Sequence, residues 1–369
     1  MAEALRCTLC HHRCLIPPGG RGFCGTRENG ASGEAVFPGG LSLPYYGYVT
    51  AAALDPIEKK PLYHFRPGSR ILSLGFAGCN LRCPFCQNWR ISQLRGPAPE
   101  GRKLRPGDAI ALALEDAPPA SHSAAAFPMG QIAYTYSEPL IHFEFLKDCM
   151  ELAHEQGIAN VLVSNGCINL EMAEKILPLI DAANIDLKCF SAKTYREVLG
   201  GDLETVLNFI RAARGGGVRL ELTTLVVPGL NDSEAEIERC GEFIAALEGE
   251  NAAAEGPIPW HLSAYHPSYR WDTPPTDLAA LLRLAGRARK LLPYVYTGNI
   301  PGEENDTPCP RCGAVLVRRR GYRVESRVIP GVEPAAPSAG TNPALNGPRS
   351  RGSRPCRCPS CGAEAPVYW

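Results

Sequence analysis

The stretch that decides the fold is residues 71–89, ILSLGFAGCNLRCPFCQNW. It opens as a short apolar run, Ile71–Phe76, which reads as a strand. The strand runs into Gly75 and Gly78 and then into Cys79, Cys83 and Cys86, spaced CxxxCxxC. Three thiolates at this spacing can hold three irons of a [4Fe–4S] cube. Gln87-Asn88-Trp89 follows where a fourth cysteine would close the site, so one iron is left open to a ligand. A zinc ion, or a ferredoxin cluster completed by a distant cysteine, is the alternative occupant. The spacing, the aromatic Phe85 just before Cys86, and the strand-end position favour the open cluster.

Downstream of this loop, strands and helices alternate. Ile132–Tyr136, Asn160–Val163, Asn184–Leu187, Arg219–Val227 and Trp260–Tyr265 read as strands two to six, and Tyr294–Tyr296 as one more. Between them, Ile141, Phe145, Cys149 and Leu152 recur at helical spacing, as do Leu203, Val206, Leu207 and Ile210. Ser233 and Glu236 form a capping box before Ile237, Cys240, Ile244 and Leu247. Such alternation predicts an α/β fold with a parallel sheet, a partial (β/α)6-type barrel over residues 66–300. Chemistry in such barrels sits at the C-terminal ends of the strands. The cysteine loop follows strand one, and Ser137-Glu138, Ser164-Asn165, Asp186-Lys188 and His266 end strands two, three, four and six.

Two further cysteine-rich regions flank the barrel. Residues 1–65 carry Cys7, Cys10, Cys14 and Cys24, a CxxCxxxC…C set that suits zinc or a second Fe–S cluster, with His11 and His12 as alternative ligands. Its look of a small structural knuckle leans to zinc. This region shows little periodicity beyond a strand near Tyr45–Thr50. Residues 301–369 hold two CPxCG knuckles, Cys309/Cys312 and Cys358/Cys361, a zinc-ribbon-like module with Cys356 as a spare ligand. The span 329–355 between the knuckles is rich in Pro, Gly, Ser, Ala and Arg and reads as a disordered insert. Cys149 and Cys240 fall on apolar helix faces and read as inert core. Cys167 and Cys189 fall near strand ends.

Composition narrows the function classes. The chain has 369 residues, 45% of them hydrophobic, and balances 38 Lys+Arg against 38 Asp+Glu. That balance gives no global case for nucleic acid or an anionic membrane. Arg318–Arg320 and the arginines at 349–357 read as a solvated face and linker. The N-terminus lacks a basic stretch before an apolar run, and no segment approaches a membrane span, so a cytoplasmic location is expected. In that compartment sixteen cysteines with CxxC spacings point to metal rather than disulfides.

GCNLRCPFCQNW resembles the pyruvate formate-lyase activating enzyme branch of the radical S-adenosylmethionine (SAM) superfamily. A closer resemblance is to the AmmeMemoRadiSam system radical SAM enzymes, whose marks recur in order: DPIEKKPLYHF (55–65), TYSEP (135–139), SNG (164–166), NIDLKCF (184–190), LTTLVVPGLNDS (222–233), AYHPSY (264–269), YVYTGN (294–299) and a C-terminal CPxCG. The resemblance implies that Cys79, Cys83 and Cys86 hold the [4Fe–4S] cluster. One electron from it then cleaves SAM to methionine and a 5′-deoxyadenosyl radical, which abstracts hydrogen from a substrate. Phe85, Gln87, Ser137, Glu138, Ser164, Asn165, Asp186, Lys188 and His266 are then the expected SAM contacts. Ser137 stands where the family usually has Asn. The implied partners are SAM, an electron donor such as flavodoxin or ferredoxin, and Memo-like and Ammecr-like proteins. Two other readings stand beside this one: a glycyl-radical enzyme activase acting on a protein glycine, and a non-catalytic zinc or nucleic-acid-binding protein.

Overall fold

The six residues Ile71–Phe76 are all buried, which a strand covered on both faces requires. They belong to a nine-stranded sheet. The computed structural model describes residues 3–30, 40–94, 99–115, 130–302, 304–331 and 355–369, with side chains at 249–255 excepted. Residues 332–354 of the expected insert lie outside them.

Seven strands run parallel in chain order: β1 Arg70–Phe76, β2 Gln131–Thr135, β3 Ala159–Ser164, β4 Ala182–Asp186, β5 Arg219–Val226, β6 Trp260–Ala264 and β7 Val295–Gly298. Among the described residues the longer connecting helices are α1 Pro106–Glu115, α2 Phe143–Glu155, α3 Leu170–Ile176, α4 Leu203–Gly215, α5 Glu234–Glu255 and α6 Leu278–Ala288. This is the expected radical SAM α/β architecture, left open rather than closed: β7 is one edge of the sheet. On the other side, Tyr48–Pro56 pairs antiparallel with β1, Ala52 opposite Leu74, and a two-residue strand, Arg102–Lys103, caps it. The N-terminal region thus contributes a full strand to the main sheet.

Helix starts follow their caps. The Asp202 carboxylate accepts from the Thr205 amide at 2.8 Å ahead of α4, and Ser233 Oγ from the Glu236 amide at 3.2 Å ahead of α5. Glu236 does not complete the expected reciprocal box. Its carboxylate reaches the Phe190 amide instead, tying the loop after β4 to α5. Cys149 and Cys240 are fully buried, as their helix faces predict.

The C-terminal module has its own small core of Leu316, Val317, Cys356, Ala365 and Val367. Its halves close across the insert: the Ile329 and Arg357 backbones exchange hydrogen bonds of 2.9 and 2.8 Å. The module docks on the Leu62–Phe65 segment, where the Tyr368 amide donates to His64 O at 2.8 Å and Arg66 N to Tyr368 O at 2.8 Å. Arg319 is 1% exposed, stacks over Tyr63 and bonds Thr307 Oγ1 at 2.7 Å. The Arg318–Arg320 run therefore presents no continuous cationic face.

Candidate active site

The cysteine loop leaves β1 through Gly78, whose φ of +88° lies in the left-handed region that favours glycine. A Cβ there would stand 2.7 Å from Cys24 O, so the turn also needs the missing side chain for the N-terminal segment to pack on it. Cys79, Cys83 and Cys86 face a cavity of about 310 Å³. They are the three cysteines among its described lining residues. Burial pushes the Cys83 thiol up to about 12 and raises Cys79 as well. A positive metal centre is what would make such buried thiols thiolates. Polar donors are already aimed at the sulfurs. Leu81 N lies 3.3 Å and Asn165 Nδ2 3.7 Å from Cys79 Sγ, and Ser92 Oγ lies 3.2 Å from Cys86 Sγ.

Across the cavity stands Glu138, at the end of β2 and 1% exposed. It accepts from Ser164 Oγ at 2.7 Å, Asn165 N at 2.8 Å and Leu140 N at 3.0 Å. Burial still raises its carboxyl to about 7, against the pull of those bonds. A cation brought into the cavity would hold it ionised. Asp186 and Lys188 form an ion pair at 3.0 Å on the same wall. Burial works against the Lys188 charge, but Asp186 and the thiols hold its pKa above the ordinary value. Ser137 Oγ and Thr223 Oγ1 are buried beside the cavity without a hydrogen-bond partner, as groups awaiting a ligand are.

Of the expected SAM contacts, Phe85, Gln87, Ser137, Glu138, Asn165, Asp186 and Lys188 line this cavity. Ser164 is one bond behind, on Glu138. His266 is exposed at the end of β6, its Nε2 3.1 Å from Asn299 O, and is not among the lining residues.

Among the lining residues outside the expected set are Lys60, Tyr136 and Thr223. Lys60 is 1% exposed, bonds Asp55 at 2.7 Å and lies 4.4 Å over the Tyr136 ring. Tyr136 adopts φ +69°, strained for an aromatic residue, and its hydroxyl donates to Asp55. Lys60 and its partner Asp55 lie in DPIEKKP, Tyr136 in TYSEP and Thr223 in LTTLVVPGLNDS, and none of these stretches carries the contact legibly on its own.

A second chamber of about 560 Å³ adjoins the first, sharing Lys59, Pro61, Ser263 and Asn299. The C-terminal module supplies Glu304, Arg320, Gly321 and Tyr322 to its wall. His261 faces it from β6, its Nε2 2.7 Å from Glu221. Glu221 also accepts from the Tyr63 and His64 amides at 2.8 and 2.7 Å.

In the C-terminal module the sulfurs of Cys309, Cys312, Cys358 and Cys361 all lie within 4.8 Å of one another. The Cys309–Cys361 and Cys312–Cys358 pairs are each 3.7 Å apart. Four thiolates about 2.3 Å from one central ion stand at nearly that separation. Cys356 is outside the set and buried in the module core.

Fold and site together define an α/β barrel enzyme class in which a three-cysteine loop at the end of the first strand faces a ligand cavity. The chain belongs to the radical SAM superfamily, whose domain matches residues 74–239. It is 39% identical over 328 residues to an uncharacterised protein of Methanocaldococcus jannaschii, covering 88% of this chain and 90% of that one. It is 27% identical over 195 residues to the pyruvate formate-lyase-activating enzyme of Clostridium pasteurianum, covering 53% of this chain and 76% of that one. Among solved structures, Streptococcus suis SuiB bound to S-adenosylmethionine aligns at a TM-score of 0.45 and 15% identity, over 62% of this chain and 51% of that one. Family membership implies an enzyme of radical SAM chemistry with a [4Fe–4S] cluster and SAM. The three thiols, the donors aimed at them and the cationic and anionic groups opposite fit both. No helix among the described residues is long and apolar enough to cross a membrane.

Proposed function

We propose that the protein cleaves SAM reductively and directs the resulting radical at a small molecule in the adjoining chamber, within an AmmeMemoRadiSam system. The observation that carries this reading is the meeting of Cys79, Cys83 and Cys86 with Glu138, Asp186 and Lys188 around one cavity. When bound, the reduced [4Fe–4S] cluster supplies one electron that breaks SAM into methionine and a 5′-deoxyadenosyl radical. The chain's own residues do the rest. Cys79, Cys83 and Cys86 hold three irons. Glu138 receives the SAM ammonium, which a buried carboxylate pinned by three donors is placed to do. Ser137, Thr223 and Asn165 offer hydrogen bonds, Asp186 and Lys188 orient the polar ends of SAM, and Phe85 and Gln87 border it. His266, one strand end away, is proposed as a ribose contact.

Cys309, Cys312, Cys358 and Cys361 are proposed to hold zinc. Flavodoxin or ferredoxin is the proposed electron donor, Memo-like and Ammecr-like proteins the proposed partners, and the cytoplasm the proposed location. Likeness to activating enzymes supports a second reading, in which a protein glycine enters the chamber. The wall contributed by the C-terminal module favours the small molecule.

The test uses anaerobically purified protein, dithionite and SAM. Wild type should yield 5′-deoxyadenosine. Cys83→Ala should yield none while keeping the C-terminal metal. Retained cleavage in that variant would sink the assignment.

A further inference from the structure

We propose that Cys7, Cys10, Cys14 and Cys24 hold a second [4Fe–4S] cluster, closed by four thiolates and serving electron transfer, rather than zinc. The four cysteines converge on one locus. Cys7, Cys10 and Cys24 are each less than 9% exposed, and Cys14 is packed against them. The Cys7 amide donates to Cys14 O at 2.9 Å, closing the first three into a loop.

Spacing separates the two metals. A single zinc ion draws four sulfurs to about 3.8 Å from one another. The C-terminal set stands at that separation. In a cube each thiolate takes a different iron, at a different corner, so the sulfurs stand farther apart. Among the described residues, Cys79, Cys83 and Cys86 do not gather within 4.8 Å, and neither does any trio of the N-terminal cysteines and histidines. The N-terminal thiols thus follow the pattern of the family's cube ligands and not that of the ribbon.

The surroundings repeat the likeness. Phe23 N lies 3.4 Å from Cys14 Sγ and Thr26 Oγ1 lies 3.2 Å from Cys24 Sγ, donors aimed at sulfur just as Leu81 N and Ser92 Oγ are in the catalytic loop. Hydrogen bonds to cluster sulfurs are the protein's means of tuning such centres. One ring nitrogen of each neighbouring histidine is engaged elsewhere. His11 Nδ1 lies 3.1 Å from Cys167 Sγ, and His12 Nε2 lies 2.9 Å from Asn80 O. The proposed ligand set is the four thiolates.

Position gives the centre its use. The N-terminal segment packs directly behind the catalytic loop: Cys24 O abuts Gly78, and the Arg82 guanidinium bonds Phe23 O. A short bonded path joins the two thiol sets. It runs from Cys10 to His11, across to Cys167 Sγ, through the Cys167 amide to Asn165 Oδ1 at 2.8 Å, and from Asn165 Nδ2 to Cys79 Sγ. A centre there takes one electron from a low-potential donor protein and gives up one. No bond is made or broken.

The experiment is metal analysis and EPR on anaerobically reconstituted protein. Wild type should carry about eight irons, and the Cys79→Ala/Cys83→Ala/Cys86→Ala variant about four. Dithionite should give that variant a paramagnetic signal that SAM does not alter, since no iron is open. Adding Cys10→Ser and Cys24→Ser should remove the iron and leave about one zinc. About four irons in wild type, a second zinc, or a signal that SAM shifts would each overturn the proposal. These readouts need no SAM cleavage, so they stand apart from the test of the proposed function.

Discussion

Lys60 carries its charge inside the protein because Asp55 stands 2.7 Å away. Asp55 also takes Lys59 at 2.8 Å and the Tyr136 hydroxyl, and its carboxyl lies well below the usual range, those bonds overcoming the effect of burial. Removing the shared acceptor strands a buried ammonium. Asp55→Asn should cost about 3 kcal/mol in denaturant unfolding, and Lys60→Met clearly less, because Asp55 keeps two partners. Equal losses would refute the shared-acceptor account. Histidines set the acid limit of the fold. Burial lowers His142 from 6.5 to about 4 and His64 to about 3. Both are neutral when folded, so the unfolded chain takes up protons first. Their contribution is complete above about pH 6.5 and is lost as pH falls toward their folded values. At pH 5 each should have cost about 2 kcal/mol relative to pH 7. Thermal unfolding of His142→Gln should show a flatter decline over that window than wild type. At this scale the thiols and the strand-end Glu138, Asn165 and Asp186 were legible, since residue type and position carried the signal. Lys60 and Tyr136 were not, because a buried lysine is recognised only with its counter-charge, and Asp55 meets it through a fold no local pattern records.

The turn after β1 decides whether the N-terminal segment can reach the catalytic loop. Gly78→Ala adds a Cβ 2.7 Å from Cys24 O and forces an L-residue to a φ of +88°. The variant should lose about 2 kcal/mol. Proteolysis within residues 3–30 should quicken before the barrel itself is cut, and unchanged cleavage there would count against the contact. All seven parallel strands were readable from apolar runs bounded by turn residues. The antiparallel strand was glimpsed only at its start. Tyr48–Pro56 runs through Ala51-Ala52-Ala53, which neither alternate nor favour strand, so pairing with β1 decides their state. The half-formed capping box before α5 shows the same limit: Glu236 has the right spacing, but the Phe190 amide offers it a better use. Ser233→Ala should therefore cost about 1 kcal/mol through its cap alone.

For the whole molecule, the C-terminal module is both a lid on the second chamber and a clasp on the Leu62–Phe65 segment. Chelating the metal proposed for its four cysteines, or Cys312→Ser with Cys361→Ser, should release both. The expected readouts are a lower unfolding midpoint and faster exchange of the Tyr368 and Arg66 amides, with the catalytic loop's iron retained. Unchanged exchange would mean that the module docks independently of the proposed metal site. The sequence marks both knuckles, and their union across the insert is visible in the mutual bonds of Ile329 and Arg357 and in the Cys309–Cys361 and Cys312–Cys358 sulfur pairs. That junction has a practical side. The flanking backbones of Ile329 and Arg357 bond directly to each other, and loop-closure entropy grows only slowly with the number of residues between such anchors. Exchanging residues 332–354 for about eight Gly/Ser residues should alter stability by only about 1 kcal/mol. A fluorophore, an affinity handle or a fused domain placed there would sit at a joint that closes by itself.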